Sequence, residues 1–142
     1  MLELRIPAKT NRVGARATMK TEMELDTVIA AQRKEALEKE LDRIVATLIE
    51  KYKPEKIILF GSLATGKIQE WSDIDLLIIK ETSTRRVYRR AEALKEIERN
   101  VPIDVIILTP DEVKFLCDEN SLLIKDILEK GSVVYEKEKS AV

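Results

Sequence analysis

Histidine is absent from this 142-residue chain, cysteine occurs once, and glycine and proline four times each. Without histidine there is no Ser-His-Asp triad, no His-ligated zinc and no imidazole to move protons near neutral pH. Carboxylate, lysine and tyrosine are left for proton and metal chemistry. A lone cysteine, Cys117, cannot close an intrachain disulfide, which points to a reducing compartment. Its setting, VKFLCDE, places it on one face of a short helix, as a packing residue rather than a reactive thiol. No apolar run approaches the ~20 residues of a membrane span and no segment has the order of a secretory signal, so the expected location is the cytoplasm, with no membrane partner. Charge of one sign is not in excess either. The 25 Lys and Arg against 26 Asp and Glu leave a net charge of −1. That excludes the global basic field behind non-specific DNA or RNA binding, and disfavours a template-reading polymerase.

What is present is the make-up of a soluble globular protein, 44% hydrophobic and 36% charged, at a length that suits one domain. A second substrate-binding domain is expected to come from another chain. Residues 1–24 carry Arg5, Lys9, Arg12, Arg16 and Lys20 without a clear period, and are expected to be a flexible basic extension. The folded domain is expected over 25–136, with a tail at 137–142.

From about Leu25 to Tyr52 the pattern is helical, clearest in Leu37, Leu41, Ile44, Leu48 and Tyr52, and Pro54 ends it. KIILF (56–60) and IDLLIIK (74–80) read as buried strands, 83–100 as a helix, and VPIDVIILTP (101–110) as a third strand. Thr109, Pro110 and Glu112 form a helix start of capping-box type; SLLIKDILEK is a last helix closed by Gly131, and SVVYE a terminal strand. A helix between the second and third strands predicts a parallel pair, whereas about a dozen residues between the first and second predict an antiparallel one. The fold class is α/β (α+β): a small mixed sheet with helices packed on it, expected in two layers.

Gly61 to Lys67, GSLATGK, nearly matches a Walker A loop, but Ile68 stands where that loop requires a Ser or Thr to ligate magnesium, and no long helix follows. The stretch offers something else. Asp73 and Asp75 flank Ile74 at the start of a strand, so both carboxylates face one way, roughly 7 Å apart along the backbone. Asp104 begins the third strand inside an apolar run, where a buried carboxylate needs a partner, a proton or a metal. In a parallel pair it shares the sheet end with the other two, and hard oxygen ligands of this kind suit Mg2+ or Mn2+. Gly61 and Ser62 leave the first strand at the same end, where a glycine allows close backbone approach and a helix N-terminus favours a phosphate. Lys67 is a further candidate phosphate contact. Trp71 is expected to pack against the last helix. Arg85, Arg86, Arg89 and Arg90 form two adjacent helical stripes, read chiefly as a solvated face and otherwise as a dock for an acidic partner or for nucleotide phosphates.

Gly61-Ser62, ten residues, then Asp73-Ile74-Asp75 resembles the signature of the DNA polymerase β-like nucleotidyltransferase superfamily, with Asp104 at the position of its third carboxylate. The likeness covers roughly residues 35–136 and is similar in its closing segment to the minimal nucleotidyltransferases. The resemblance implies that Asp73, Asp75 and Asp104 are catalytic and hold two Mg2+ ions, and that Gly61 and Ser62, with Lys67, bind the phosphates of ATP. It further implies transfer of AMP to a protein hydroxyl, in an antitoxin paired with a helical HEPN-family toxin, as a homodimer or hetero-oligomer. The alternatives are a non-catalytic antitoxin acting by steric binding and a small-molecule nucleotidyltransferase working as a homodimer. Thr65 departs from the group, standing where its pattern often has arginine, a substitution that Lys67 cannot fully replace because lysine lacks the bidentate guanidinium.

Overall fold

The computed structural model describes the backbone of residues 5–138 and the side chains of 22–138. The first helix, α1, runs Arg5–Thr47 and passes directly into a π-helical turn, Leu48–Tyr52. The start differs from the expected one near Leu25: residues 5–24, read as an extension without period, have helical backbone, while 1–4 lie outside the described residues. The physical reason is local. Ala8, Ala15, Arg16, Ala17, Met19 and Lys20 all favour helix, and Pro7 falls in the first turn, where its missing N–H costs nothing. Among the described side chains of the helix, from Glu22 on, half-burial begins at Ile29 and Ala30, and the packed stripe is Leu37, Leu41, Ile44 and Leu48. The helix closes where the N–H of Lys53 donates to the carbonyl of Leu48 at 2.9 Å, with Lys53 left-handed at φ 55° and Pro54 next.

Four strands form one sheet: β1 (Lys56–Phe60), β2 (Ile74–Ile79), β3 (Ile103–Leu108) and β4 (Ser132–Glu136), in the order β3-β2-β1-β4. β1 pairs antiparallel with β2 and β4, and β2 pairs parallel with β3, as the connection lengths predicted. The crossover helix α3 is shorter than expected, Arg86–Leu94, because the N–H of Ile97 turns back to the carbonyl of Leu94 at 3.0 Å and seats Ile97 in the core. A single turn, α2 (Ser62–Thr65), follows β1.

The domain has helices on both faces of the sheet rather than two layers. Ile57, Leu59, Ile74, Leu76, Ile78, Ile103, Val105 and Ile107 pack with α1 and with Ala93 and Leu94 of α3. The alternate residues Ile58, Leu77 and Leu108 pack with Ile124 and Ile127 of α5 (Leu122–Lys130) and with the half-buried Leu116 and Cys117 of α4 (Pro110–Asp118). Central strands buried on both faces explain why their sequences are continuous apolar runs. Cys117 is a packing residue, as expected. Gly131 closes α5 and permits close approach of β1: a Cβ there would lie 2.6 Å from Cγ2 of Ile58.

One buried ion pair ties the two helical layers through the sheet edge. Arg89 of α3, buried, donates to Glu112 of α4 at 2.6 and 3.3 Å, to the carbonyl of Thr84 at 2.8 Å and to that of Ile107 at 3.2 Å. Glu112 also completes the expected capping box: it accepts from the Thr109 N–H at 2.8 Å while the Thr109 hydroxyl accepts from the Glu112 N–H at 3.1 Å. Of the arginine cluster, Arg89 is thus structural, and Arg86 stands at its flank, 3.7 Å from Glu112. The Arg89 guanidinium holds the Glu112 carboxyl below the usual glutamate range. Its contribution to stability is present above that range and lost as pH falls through the depressed value. Arg89→Ala strands a charged acceptor and two carbonyls, and is expected to cost about 2–4 kcal/mol in urea denaturation at neutral pH. The loss should shrink below the glutamate range, where Glu112 is protonated in both proteins.

Candidate active site

The turn after β1 and the loop before β2 meet at one end of the sheet. Gly61 leaves β1 at φ 77° and starts α2, whose Ala64 and Thr65 N–H groups return to the Gly61 carbonyl at 3.2 and 3.1 Å. The first N–H groups of such a turn have no partner within it. Ser62 and Leu63 therefore present donors beside Asp75: a Cβ on Gly61 would lie 2.2 Å from Asp75 Oδ2. Glycine is required both by the backbone conformation and by the room that carboxylate takes. Thr65 is exposed, its hydroxyl 3.4 Å from the Ser62 carbonyl, and Lys67 is exposed in the loop beyond.

The loop from Gly66 to Asp73 is held by Ser72, which is buried. Its Oγ accepts from the Gln69 N–H at 2.8 Å, and its carbonyl accepts from Arg33 of α1 twice, at 2.9 and 2.7 Å. Arg33 is a positioning residue that sequence reading missed, since a separation of 39 positions from Ser72 carries no local signal. With the loop fixed at Ser72, Trp71 is turned outward and is 77% exposed, against the packing expected of it.

Asp75 sits in β2 opposite Phe60 of β1 and in register with Asp104 of β3. Paired residues share a face, so Asp75 and Asp104 are on the α4/α5 side, joined by Asp73 two residues earlier. Burial, then the charges of Asp73 and Asp104 and a hydrogen-bond contact with Asp73, push the Asp75 carboxyl up to about 6. Asp104 is not buried, as its apolar neighbours had implied: β3 is an edge strand and its side chain is 74% exposed, 3.6 Å from Arg90 of α3. Arg90 reaches round that edge and also donates to the Ile103 carbonyl at 3.0 Å. Among the described residues, no three acidic, histidine or cysteine side chains close on a single point. Asp73 and Asp75 converge, and Asp104 is aligned beside them with its carboxylate drawn toward Arg90.

These oxygens fit a divalent cation. Three carboxylates within electrostatic reach, one with its proton affinity raised by burial and by the other two, form a site whose repulsion a hard cation relieves, and oxygen-only donors suit Mg2+ or Mn2+. The stabilising effect of the Asp75 proton is present below the ordinary carboxylate range and lost as pH rises through about 6. The metal-free protein should accordingly melt at lower temperature at pH 7 than at pH 5 in calorimetry. Asp75→Asn should flatten that trend, and Mg2+ should raise the melting temperature of the parent protein but not of the variant. Gly61→Ala forces alanine to φ 77°, ψ −158°, a region essentially reserved for glycine, at about 1–3 kcal/mol, and displaces Asp75. It should likewise remove most of the rise in melting temperature that Mg2+ gives the parent protein.

Residues 42–140 match the family described as "Polymerase beta, Nucleotidyltransferase". Two proteins of Methanocaldococcus jannaschii, each named "putative protein adenylyltransferase", are similar to this chain. One is 29% identical, covering 71% of this chain and 76% of its own, and the other 35% identical, covering 69% and 97%. A crystal structure from Sulfolobus solfataricus, described as that of "a putative nucleotidyltransferase", superposes with a TM-score of 0.57 at 23% identity over 80% of this chain and 93% of that one, a likeness of fold. Among the described residues no helix is long and apolar enough to cross a membrane. With the family match spanning the sheet, the Gly61-Ser62 turn and all three aspartates, the chain belongs to the polymerase β nucleotidyltransferase family.

Proposed function

We propose that this nucleotidyltransferase moves AMP from ATP to a hydroxyl on a partner protein. The observation that carries the reading is the Asp73–Asp75 pair set against the Gly61-Ser62 turn, with Asp104 in register beside it. Support for a protein acceptor comes from the names of the two archaeal relatives. Support for a small helical HEPN-family toxin as that acceptor comes from the resemblance of the motif to the minimal nucleotidyltransferases, which would make this chain the antitoxin.

Asp73 and Asp75, with Asp104, would hold Mg2+, which when bound supplies positive charge to the triphosphate and the developing alkoxide. The Ser62 hydroxyl and the N–H groups opening α2 bind the outer phosphates, and Lys67 adds a mobile positive charge. Phosphates held there leave the α-phosphorus facing the aspartates. The acceptor oxygen attacks it in line, forming an O–P bond as the bond to the departing pyrophosphate breaks. Asp104, exposed at the edge where an acceptor approaches, receives the hydroxyl proton.

Thr65, in the position where the group's pattern often has arginine, favours one other reading, an antitoxin that neutralises its partner by contact alone. Tagged protein incubated in native lysate with ATP and Mg2+, followed by intact-mass analysis of what co-purifies, separates the two. A helical partner should gain one or more AMP masses. Asp73→Asn with Asp75→Asn should bring that gain to background while the circular-dichroism spectrum is kept. Transfer surviving the double substitution would overturn the site, and a partner bound but never modified would overturn the enzymatic reading in favour of the steric one.

A further inference from the structure

The outer edge of the sheet carries a charge pattern that the carboxylate site does not account for. Two adjoining hollows, about 420 and 560 Å³, run along α3 and the segment leading into β3, and they share Arg90 and Arg99 as lining residues. Lys95 adds a third cation, and no carboxylate lines either hollow. In a chain of net charge −1 this is a segregated positive strip. All three basic side chains are exposed. Glu96 and Glu98, exposed neighbours of Lys95 and Arg99 in the chain, line neither hollow; Glu40 is held by Arg43 at 2.5 Å and by Asn100 at 3.2 Å, and Asp104 faces Arg90 at the groove's mouth. Apolar residues line the groove as well, the buried Leu94 with the exposed Val87, Ala91 and Pro102.

We infer that this groove binds an acidic segment of the acceptor protein and leads its hydroxyl to Asp104. The inference rests on the transferase reading above and names the acceptor's chemistry. Continuity supplies the first reason: Arg90 lies at once in the groove and against the carboxylate beside which the acceptor oxygen must arrive. Charge supplies the second. Three cations interspersed with aliphatic side chains match a peptide in which Asp or Glu alternates with aliphatic residues around a Tyr, Ser or Thr. A nucleic acid is the poorer fit, since the groove lining has no aromatic platform for bases.

The test uses short fluorescein-labelled peptides with one tyrosine flanked by Glu and Leu, against the same peptides with Gln for Glu. Anisotropy near physiological ionic strength should show the Glu peptide binding at least tenfold tighter. Lys95→Glu with Arg99→Glu should remove that preference, and Lys95→Gln with Arg99→Gln, checked by melting temperature, should remove most of it. Equal binding of the two peptides, a preference that survives charge reversal, or a single-stranded oligonucleotide binding tenfold tighter than the Glu peptide would each overturn the groove assignment. AMP transfer is read separately. A Glu peptide that binds but never gains AMP, with the native partner also unmodified, leaves the groove standing and overturns the transferase. Transfer to the Gln peptide at the same KM as to the Glu peptide does the reverse.

Discussion

The parallel register of β2 on β3 places Asp75 directly beside Asp104, and much of the active end of the molecule follows from having to hold those two like charges, with Asp73, in one place. Burial of Asp75 disfavours its charge, and repulsion from the neighbouring carboxylates adds to the cost. Sheet hydrogen bonds fix the backbone on both sides of Asp75, to Phe60 and to Asp104, so the strand cannot slide to relieve the strain. The side chains must absorb it through a proton, a cation or a neighbouring guanidinium. Gly61 matters in this setting because a Cβ there would lie 2.2 Å from Asp75 Oδ2, in the space the carboxylate occupies.

Such a site draws on stability made elsewhere. Strands buried on both faces, Leu37 to Leu48 on one helix and the Arg89–Glu112 pair on the other side of the sheet edge provide rigidity away from the aspartates. Arg33 links that rigidity to the loop: by taking the Ser72 carbonyl with two N–H groups, it fixes the residue immediately before Asp73. A loop so held aims its carboxylate before any ligand arrives, which is the preorganisation that electrostatic catalysis requires.

Most of this was legible in the chain wherever the signal is local. The strands, their relative directions, the Thr109–Glu112 cap and the Gly-Ser to Asp-x-Asp spacing all depend on residues within a few positions of one another or on connection lengths. What was not legible depends on three-dimensional context. Trp71 was expected to pack because it is apolar, yet the hold on Ser72 turns it outward. Asp104 was expected to be buried because its neighbours are apolar, but edge position decides exposure. In the arginine cluster, Arg89 is a buried tie, Arg86 its flank and Arg90 a contact with the site, while Arg85 is exposed, according to which side of α3 meets β3 and α4. Helix α1 was underestimated because its first half lacks the apolar period that sequence reading relies on.

Arg90 joins the acidic end to the basic edge, and its two allegiances compete. Paired with Asp104 at 3.6 Å, it draws that carboxylate toward the groove. An acidic segment seated in the groove offers Arg90 another carboxylate. Drawn toward it, the guanidinium would release Asp104 to face the acceptor and the Asp73–Asp75 pair. The Ile103 carbonyl, which Arg90 also engages, limits that movement to a rotation about an anchored base. Under the inferred docking, therefore, the chemistry that recognises the acceptor is also the chemistry that readies the third carboxylate, and an unoccupied groove leaves Asp104 engaged with Arg90.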